Sequence, residues 1–423
     1  MRADRLPELA AIPPISPLSR REAFRFWLKL GFISFGGPAG QIAIMHREIV
    51  ERRGWLAERP FMDALNFCML LPGPEALQLA IWIGWRLHGP LGGVVAGLCF
   101  IVPAAVLLLG LSFVYAVHGS VPAIAALLFG LQATVVALVL QALWRIARRA
   151  LSAPMHFVIA AAAWAVMTWK LAPFPVLLLA AACAGALMRR QAPQSVADTA
   201  TIQFPWRALV AGIALWVIPG ALVLSLAGRD SLYAQVYGFF TNAALVTFGG
   251  AYSVLAWVNQ QAVEVHGWLT QAQTVTGLAL AETTPGPLII VLQFIGYMAG
   301  WNSPGAAGPA LTAMTTALLT SWATFLPSFV FILVGAPYVE RLTAVPRLAG
   351  ALAGITAAAV GVIASLAGVF ATAVFSPAGP GATQWSPVAI AAVALLLLLR
   401  TRIDVLWIIA GGALAGVLVN FLA

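Results

Sequence analysis

Leu71-Pro72-Gly73-Pro74-Glu75 interrupts an apolar run, and Thr284-Pro285-Gly286-Pro287-Leu288 interrupts another. Working outward from these two breaks, Phe35-Gly36-Gly37 returns as Phe248-Gly249-Gly250, and Gly54-Trp55-Leu56 returns as Gly267-Trp268-Leu269. The offsets 248 − 35, 267 − 54 and 285 − 72 are all 213. Three landmarks held in one register mark an internal duplication. Proline lacks an amide hydrogen and clashes with the preceding helical turn, so two prolines around a glycine cannot continue a helix. Broken hydrophobic segments at matching positions of two halves point to a transporter whose substrate site lies between the repeats.

Composition places the chain in a bilayer. Of its 423 residues 61% are hydrophobic and 9% charged, against about 25% charged in a soluble domain. The formal charge is +9, and Lys29 and Lys170 are the only lysines. The arginines flank apolar runs, where they mark topology rather than a nucleic-acid surface. Cys68, Cys99 and Cys183 lie within apolar segments and read as small core residues. The scattered His46, His88, His118, His156 and His266 form no paired metal signature and read as interfacial residues. The sequence contains no Walker A loop, HExxH pair or G-x-S-x-G elbow, which argues against an ATPase or an intramembrane enzyme. Nothing in it requires a metal or an organic cofactor.

Apolar segments run at about 24–45, 61–85, 91–117, 121–144, 155–170, 172–188, 206–228, 233–258, 272–300, 307–336, 348–374, 385–399 and 403–422. They group as six, one and six. The fold class expected is therefore an all-α polytopic membrane protein. Two inverted-topology repeats of about six hydrophobic segments are joined by one linking span, with re-entrant or broken helices at the Gly-Gly and Pro-Gly-Pro motifs. The expected parts are a cytoplasmic tail at 1–21, a first repeat at 22–190, a linker and linking span at 191–230, and a second repeat at 231–423. Arg47, Arg52, Arg53 and Arg59 follow the first Gly-Gly motif, whereas the equivalent loop at 259–273 has no Lys or Arg. The positive-inside tendency puts these loops on opposite faces, with the N-terminus cytoplasmic. Arg20, Arg21 and Arg25 precede segment 24–45, so both of its ends read as cytoplasmic and the segment reads as re-entrant. Segment 61–85, divided by Pro72-Gly73-Pro74, reads the same way, and with both segments re-entrant Arg145, Arg148, Arg149, Arg189, Arg190, Arg341, Arg347, Arg400 and Arg402 fall inside, and Lys170 and Arg229 outside.

Breaking a helix at membrane depth frees backbone N–H and C=O groups, which is tolerable where they line a polar cavity. Pro74 and Pro287 read as first residues of new helices, whose free N–H groups attract an anion. Gly36, Gly37, Gly249 and Gly250 permit close backbone approach. The candidate substrate-binding residues are Gly36, Gly37, Pro38 and Gln41, then Pro72, Gly73, Pro74 and Gln78. Gly249, Gly250, Thr283, Thr284, Pro285, Gly286, Pro287 and Gln293 complete the set in the second half. Glu75 and Glu282 are intramembrane carboxylates and candidate proton carriers. Arg86 reads as a fixed positive charge for the anion or as an interfacial anchor. Arg145 with Arg148 and Arg149 reads as a cytoplasmic anchor. Trp55 and Trp268 read as interfacial belts or packing anchors. The small face of Gly350, Gly354, Gly361 and Gly368 suits a homodimer or internal packing equally.

Phe32-Ile33-Ser34-Phe35-Gly36-Gly37-Pro38, Glu51-Arg52-Arg53-Gly54-Trp55 and Leu71-Pro72-Gly73-Pro74 resemble the chromate ion transporter family in its long, two-domain form. Thr247-Phe248-Gly249-Gly250-Ala251-Tyr252 and Thr284-Pro285-Gly286-Pro287 are similar to that family's second domain. The resemblance implies a bacterial inner-membrane antiporter that expels chromate, drives export with protons and confers resistance. Sulfate is the close analogue and a competitor. The residues alone leave open sulfate or other small-anion uptake and a passive anion channel. The second half has Gly-Gly-Ala where the first has Gly-Gly-Pro, so the two breaks are not expected to be equal.

Overall fold

The computed structural model describes residues 18–188, 204–339, 346–379, 381–401 and 403–422. Most of the expected tail, the 191–203 linker and Arg189, Arg190, Arg341 and Arg402 lie outside the described residues. Regular structure among the described residues is entirely helical.

The first half begins with α1 (Arg20–Ile33), α2 (Gly37–Met45), α3 (Glu58–Leu70) and α4 (Glu75–His118). A π-helical turn, His46–Arg52, extends α2, and α4 bends at His88 and Gly89, where Gly89 takes φ +69°. Then follow α5 (Pro122–Ala150), α6 (Pro154–Trp169) and α7 (Phe174–Met188). Helix α8 (Trp206–Ala227) stands alone between the halves. The second half begins with α9 (Leu232–Leu245), α10 (Ala251–Gln260) with its π-helical turn Gln261–Val265, and α11 (Gln271–Glu282). A 3-10 turn, Leu288–Ile290, leads into α12 (Val291–Asn302). Helices α13 (Pro309–Gly335), α14 (Pro346–Phe375), α15 (Trp385–Arg400) and α16 (Val405–Leu422) complete it. Six of these, α4, α5, α8, α13, α14 and α16, are long and apolar enough to cross a bilayer. Six such helices in one chain are the mark of a multi-pass membrane protein.

The duplication extends to local geometry. Gly36, Gly37, Gly54 and Gly73 take left-handed φ values of +85°, +71°, +60° and +127°. Their counterparts Gly249, Gly250, Gly267 and Gly286 take +75°, +96°, +62° and +95°. Both Gly-Trp corners close on the preceding π-helical turn, through Trp55 N–H to Ile49 O and Trp268 N–H to Ala262 O, each 2.8 Å. Phe26 meets Trp55 edge-on at 5.1 Å and Phe239 meets Trp268 edge-on at 5.5 Å. Trp55 and Trp268 are buried, so of their two readings the structure takes packing anchor.

These contacts bring the chain at each Gly-Trp corner back to the helix before the Gly-Gly turn, α1 or α9. Arg53 Nη1 donates to Glu22 Oε1 at 3.2 Å, joining the two ends of the α1–α2 pair. Asn302 Nδ2 donates to Trp268 O at 2.9 Å and to Gln273 Oε1 at 3.0 Å, joining the end of α12 to the start of α11. An arm of 12 to 14 residues, such as α11 or α1, is roughly 18–21 Å long at 1.5 Å per residue. The hydrocarbon core of a bilayer is about 30 Å thick.

The halves interlock rather than stand apart. Helix α14 packs across α5, α6 and α7, while α15 and α16 pack on α5. Glycines make these crossings close. A Cβ on Gly354 would lie 2.1 Å from Ala181 O, and one on Gly361 would lie 1.9 Å from Ala160 O. Gly350, Gly354 and Gly361 are thus used inside the fold. Helix α8 is mostly exposed and rests on α9 and α13. Its Pro219 leaves Leu215 O without a helical donor, and Trp322 Nε1 supplies one at 2.9 Å. Cys68 and Cys99 are buried as expected, but Cys183 is exposed because it lies on the outward face of α7.

Candidate functional site

The two halves meet through their breaks. Gly73 N–H donates to Thr247 O at 2.8 Å, and Gly286 N–H donates to Ser34 O at 2.8 Å. Both offsets are 213, since 286 − 73 and 247 − 34 are equal, so the bonds are one contact made twice in reciprocal directions. Each Pro-Gly-Pro thus sits on the chain turn just before the other half's Gly-Gly. The acceptors are available because α1 and α9 end there. Both helices end at the Gly-Gly turns; Ser34 Oγ and Thr247 Oγ1 fold back onto Leu30 O and Ala243 O, and the main-chain carbonyls of Ser34 and Thr247 are left to accept from the other half.

Two glutamines lie at these junctions. Gln41, 1% exposed, donates through Nε2 to Gly286 O and to Ser34 O, so it clamps the first Gly-Gly turn to the second Pro-Gly-Pro. Gln78, fully buried, donates through Nε2 to Pro72 O at 2.7 Å. The amide oxygen of each has no partner. Six buried side-chain N or O atoms lack partners among the described residues: Gln41 Oε1, Gln78 Oε1, Trp82 Nε1, Thr320 Oγ1, Thr324 Oγ1 and Ser328 Oγ. All six belong to α2, α4 and α13. Burying an unpaired polar group costs about 1–3 kcal/mol, so their restriction to the helices around the breaks singles this region out.

Helix starts add donors. Pro74 and Pro287 are the residues before the helical turns rather than their first residues, with extended ψ of 108° and 127°. The one-residue difference leaves the N–H groups of Glu75, Ala76 and Leu77 beyond the reach of intrahelical bonds, as it does those of Leu288 and Ile289. Pro38 lies in the first turn of α2 behind Gly36.

The other sequence candidates divide. Glu282, at the end of α11, accepts a hydrogen bond from Tyr252 Oη on α10. Glu75 opens α4. Gln293 is fully engaged, donating to Ala105 O and accepting from Ser321 Oγ, both at 2.8 Å. Thr283 and Thr284 turn back onto Leu280 O and Ala281 O. Arg86 is exposed, about two turns along α4 from Gln78, and stands apart from the junction.

A sequence profile of the family described as "Chromate transporter" matches residues 21–186 and 234–417. The two matched stretches begin 213 residues apart (234 − 21) and together take in both junctions. The chain belongs to the chromate transporter family. It is 34% identical over 421 residues to the "Chromate transport protein" of Pseudomonas aeruginosa, covering 97% of this chain and 94% of that one. It is 28% identical to the "Probable chromate transport protein" of Synechococcus elongatus over 82% of this chain and 83% of that one. The "Chromate transport protein" of Cupriavidus metallidurans is 26% identical over 94% and 92% of the two chains. The relatives are named as transport proteins, which points to a transporter and not an enzyme. No solved structure matches.

Sequence reasoning about this chromate transporter family chain missed Ser34 and Thr247, whose register within the repeat was available as Ser34-Phe35-Gly36 against Thr247-Phe248-Gly249. It also missed α13. A Cβ on Gly73 would lie 2.7 Å from Ser328 Oγ and 2.6 Å from Gln78 Nε2, so α13 presses on the first Pro-Gly-Pro. The available signal was a hydroxyl at every fourth position, Thr312, Thr316, Thr320, Thr324 and Ser328.

Proposed function

We propose that this chain is a secondary transporter that exports chromate across the bacterial inner membrane, driven by the proton motive force. The observation that carries the reading is the reciprocal pair of bonds from Gly73 to Thr247 and from Gly286 to Ser34. Broken helices from both repeats meet there, and unpaired buried polar atoms gather around them.

In this reading the repeats are inverted, with α8 as the odd span that reverses the second. The basic loop after α2 faces the cytoplasm, as does the N-terminus, and the counterpart in the second half, which has no Lys or Arg, faces outward. The hairpins are re-entrant, because their arms are too short to cross the hydrocarbon core and their ends lie together. The oxyanion sits among the free N–H groups at the helix starts, within the set of Gly-Gly, Pro-Gly-Pro and glutamine residues named above. Glu75 and Glu282 carry protons: an ionised carboxylate repels a nearby oxyanion, so protonation on one face and release on the other couples proton entry to anion exit. The names of the relatives support chromate as the anion.

Inverted membrane vesicles test this directly. With an acid interior, vesicles holding the protein should accumulate labelled chromate, excess sulfate should compete, and a protonophore should abolish accumulation. Chromate flux that ignores the pH gradient and only follows its own concentration difference would mark a passive channel instead. Accumulation of sulfate in right-side-out vesicles, with chromate untouched, would mark an uptake system.

A further inference from the structure

The unpaired hydroxyls of α13 admit a more specific assignment. Thr312 and Thr316 are satisfied in the ordinary way, donating to Gly308 O and Thr312 O at 2.9 Å. This is the common back-bonding of a helical threonine, and α13 uses it freely at its first turns. Thr324 and Ser328, 3% and 1% exposed, have no partner.

Their position follows from the register of α13 against α12. Gly300 packs against Thr316 Oγ1 and Gly296 against Thr320 Oγ1, so the helices run antiparallel and each step of four along one matches four back along the other. Thr320 Oγ1 also lacks a partner, but it sits against Gly296 within α12, about two turns of α13 away from Ser328. Continuing along α13, Thr324 lies about one turn and Ser328 about two turns beyond Thr320, in the direction of the start of α12. Ser328 Oγ sits against Gly73 in the first Pro-Gly-Pro. One of these hydroxyls is therefore at the first break, and the other is one turn away on the same helix.

The first half has no such hydroxyls. A Cβ on Gly286 would meet Ala104 Cβ at 2.8 Å and Phe100 O at 3.1 Å. Ala104 follows Pro103 as Ser328 follows Pro327, so Phe100 and Ala104 occupy the places of Thr324 and Ser328. The backbone architecture is doubled, but the side-chain donors are not.

We propose that Thr324 and Ser328 donate hydrogen bonds to the transported oxyanion, which is held on the α13 side of the junction. The assignment rests on the transport reading above. It identifies two specificity-determining residues: hydroxyls without other partners suit the oxygens of a small tetrahedral anion and replace its lost water. An unpaired buried hydroxyl destabilises the empty protein, so removing it should weaken transport without weakening the fold. A purely structural hydroxyl behaves in the opposite way.

The test uses full-length protein in inverted vesicles with labelled chromate at low concentration, beside thermal unfolding of the purified protein with and without chromate. T324V and S328A should each lower the initial rate at least tenfold, with unfolding temperatures equal to or above wild type and no chromate-induced stabilisation. T324S, which keeps the hydroxyl, should recover most of the rate lost in T324V, and T315V, which removes a back-bonded hydroxyl, should transport at near the wild-type rate. Should T324V fail to reach the membrane, T324A takes its place. Transport within twofold of wild type in both T324V and S328A overturns the assignment, as does retained chromate stabilisation. Wild-type vesicles that move no chromate would overturn the transport reading itself, and the assignment with it.

Discussion

Replacing Gly286 by alanine places a methyl group where the structure has no room for it. At φ +95° a non-glycine residue is strained by about 1–3 kcal/mol. The new Cβ would lie 2.8 Å from Ala104 Cβ and 3.1 Å from Phe100 O, well inside the 3.5–4.0 Å at which carbon atoms pack best. Phe100 O belongs to the backbone of α4 and cannot swing aside. Relief requires residue 286 to move, which strains its bond to Ser34 O and the bond from Gln41 to its own carbonyl, each worth about 1 kcal/mol. The total is about 3–5 kcal/mol, against the 5–15 kcal/mol that holds a typical protein together. G286A should therefore still fold and insert but lose the paired geometry of the junction, with chromate uptake into inverted vesicles down at least tenfold. G73A carries the same kind of backbone strain at φ +127°, but its Cβ meets side-chain tips of Gln78 and Ser328 rather than backbone, so its steric cost should be smaller while those two site residues are displaced. Wild-type uptake by G286A at normal membrane abundance would refute the reasoning that the junction is the transport site.

Glu282→Gln should flatten the dependence of chromate transport on pH, and Tyr252→Phe should shift it by removing the hydrogen bond to that carboxylate; an unchanged profile in both would remove Glu282 as a proton carrier. Single cysteines at Arg52 and Thr270 should react with impermeant thiol reagents from opposite faces, Arg52→Cys only in inverted vesicles and Thr270→Cys only in intact cells; labelling of both from one face would end the inverted arrangement. Gly361→Leu should lower the unfolding temperature and membrane yield through its clash with Ala160 O, overpacking worth at least 1–3 kcal/mol; normal stability would mean that α6 and α14 are not packed as described.

The repeat was legible in the sequence because a fixed offset survives whatever the fold does with it. Gly36, Gly54, Gly73 and their counterparts were readable as turns, since only a residue without Cβ settles readily at positive φ. What pairs with what was not readable. Pattern alone does not say that Gly73 reaches the turn before Gly249 rather than its own Gly36, because that depends on how two hairpins pack. Gln41 and Gln78 stood out as polar residues beside a break, but Gln293 looked the same in sequence and proves to be a clamp between Ala105 and Ser321. Thr324 passed unnoticed because a threonine in a membrane helix ordinarily bonds its own backbone, and only coordinates reveal one that does not.

The reciprocal bonds also set a timetable for biosynthesis. Ser34 O accepts from an amide made 252 residues later (286 − 34). At 5–20 residues per second the ribosome needs roughly 10–50 s to deliver it. Throughout that interval the amino-terminal half must wait in the membrane with its carbonyl and its Gly73 amide unanswered, a natural client for whatever shelters incomplete membrane proteins. Two separately translated halves would face no such fixed delay, only the time needed to find each other in the plane of the bilayer.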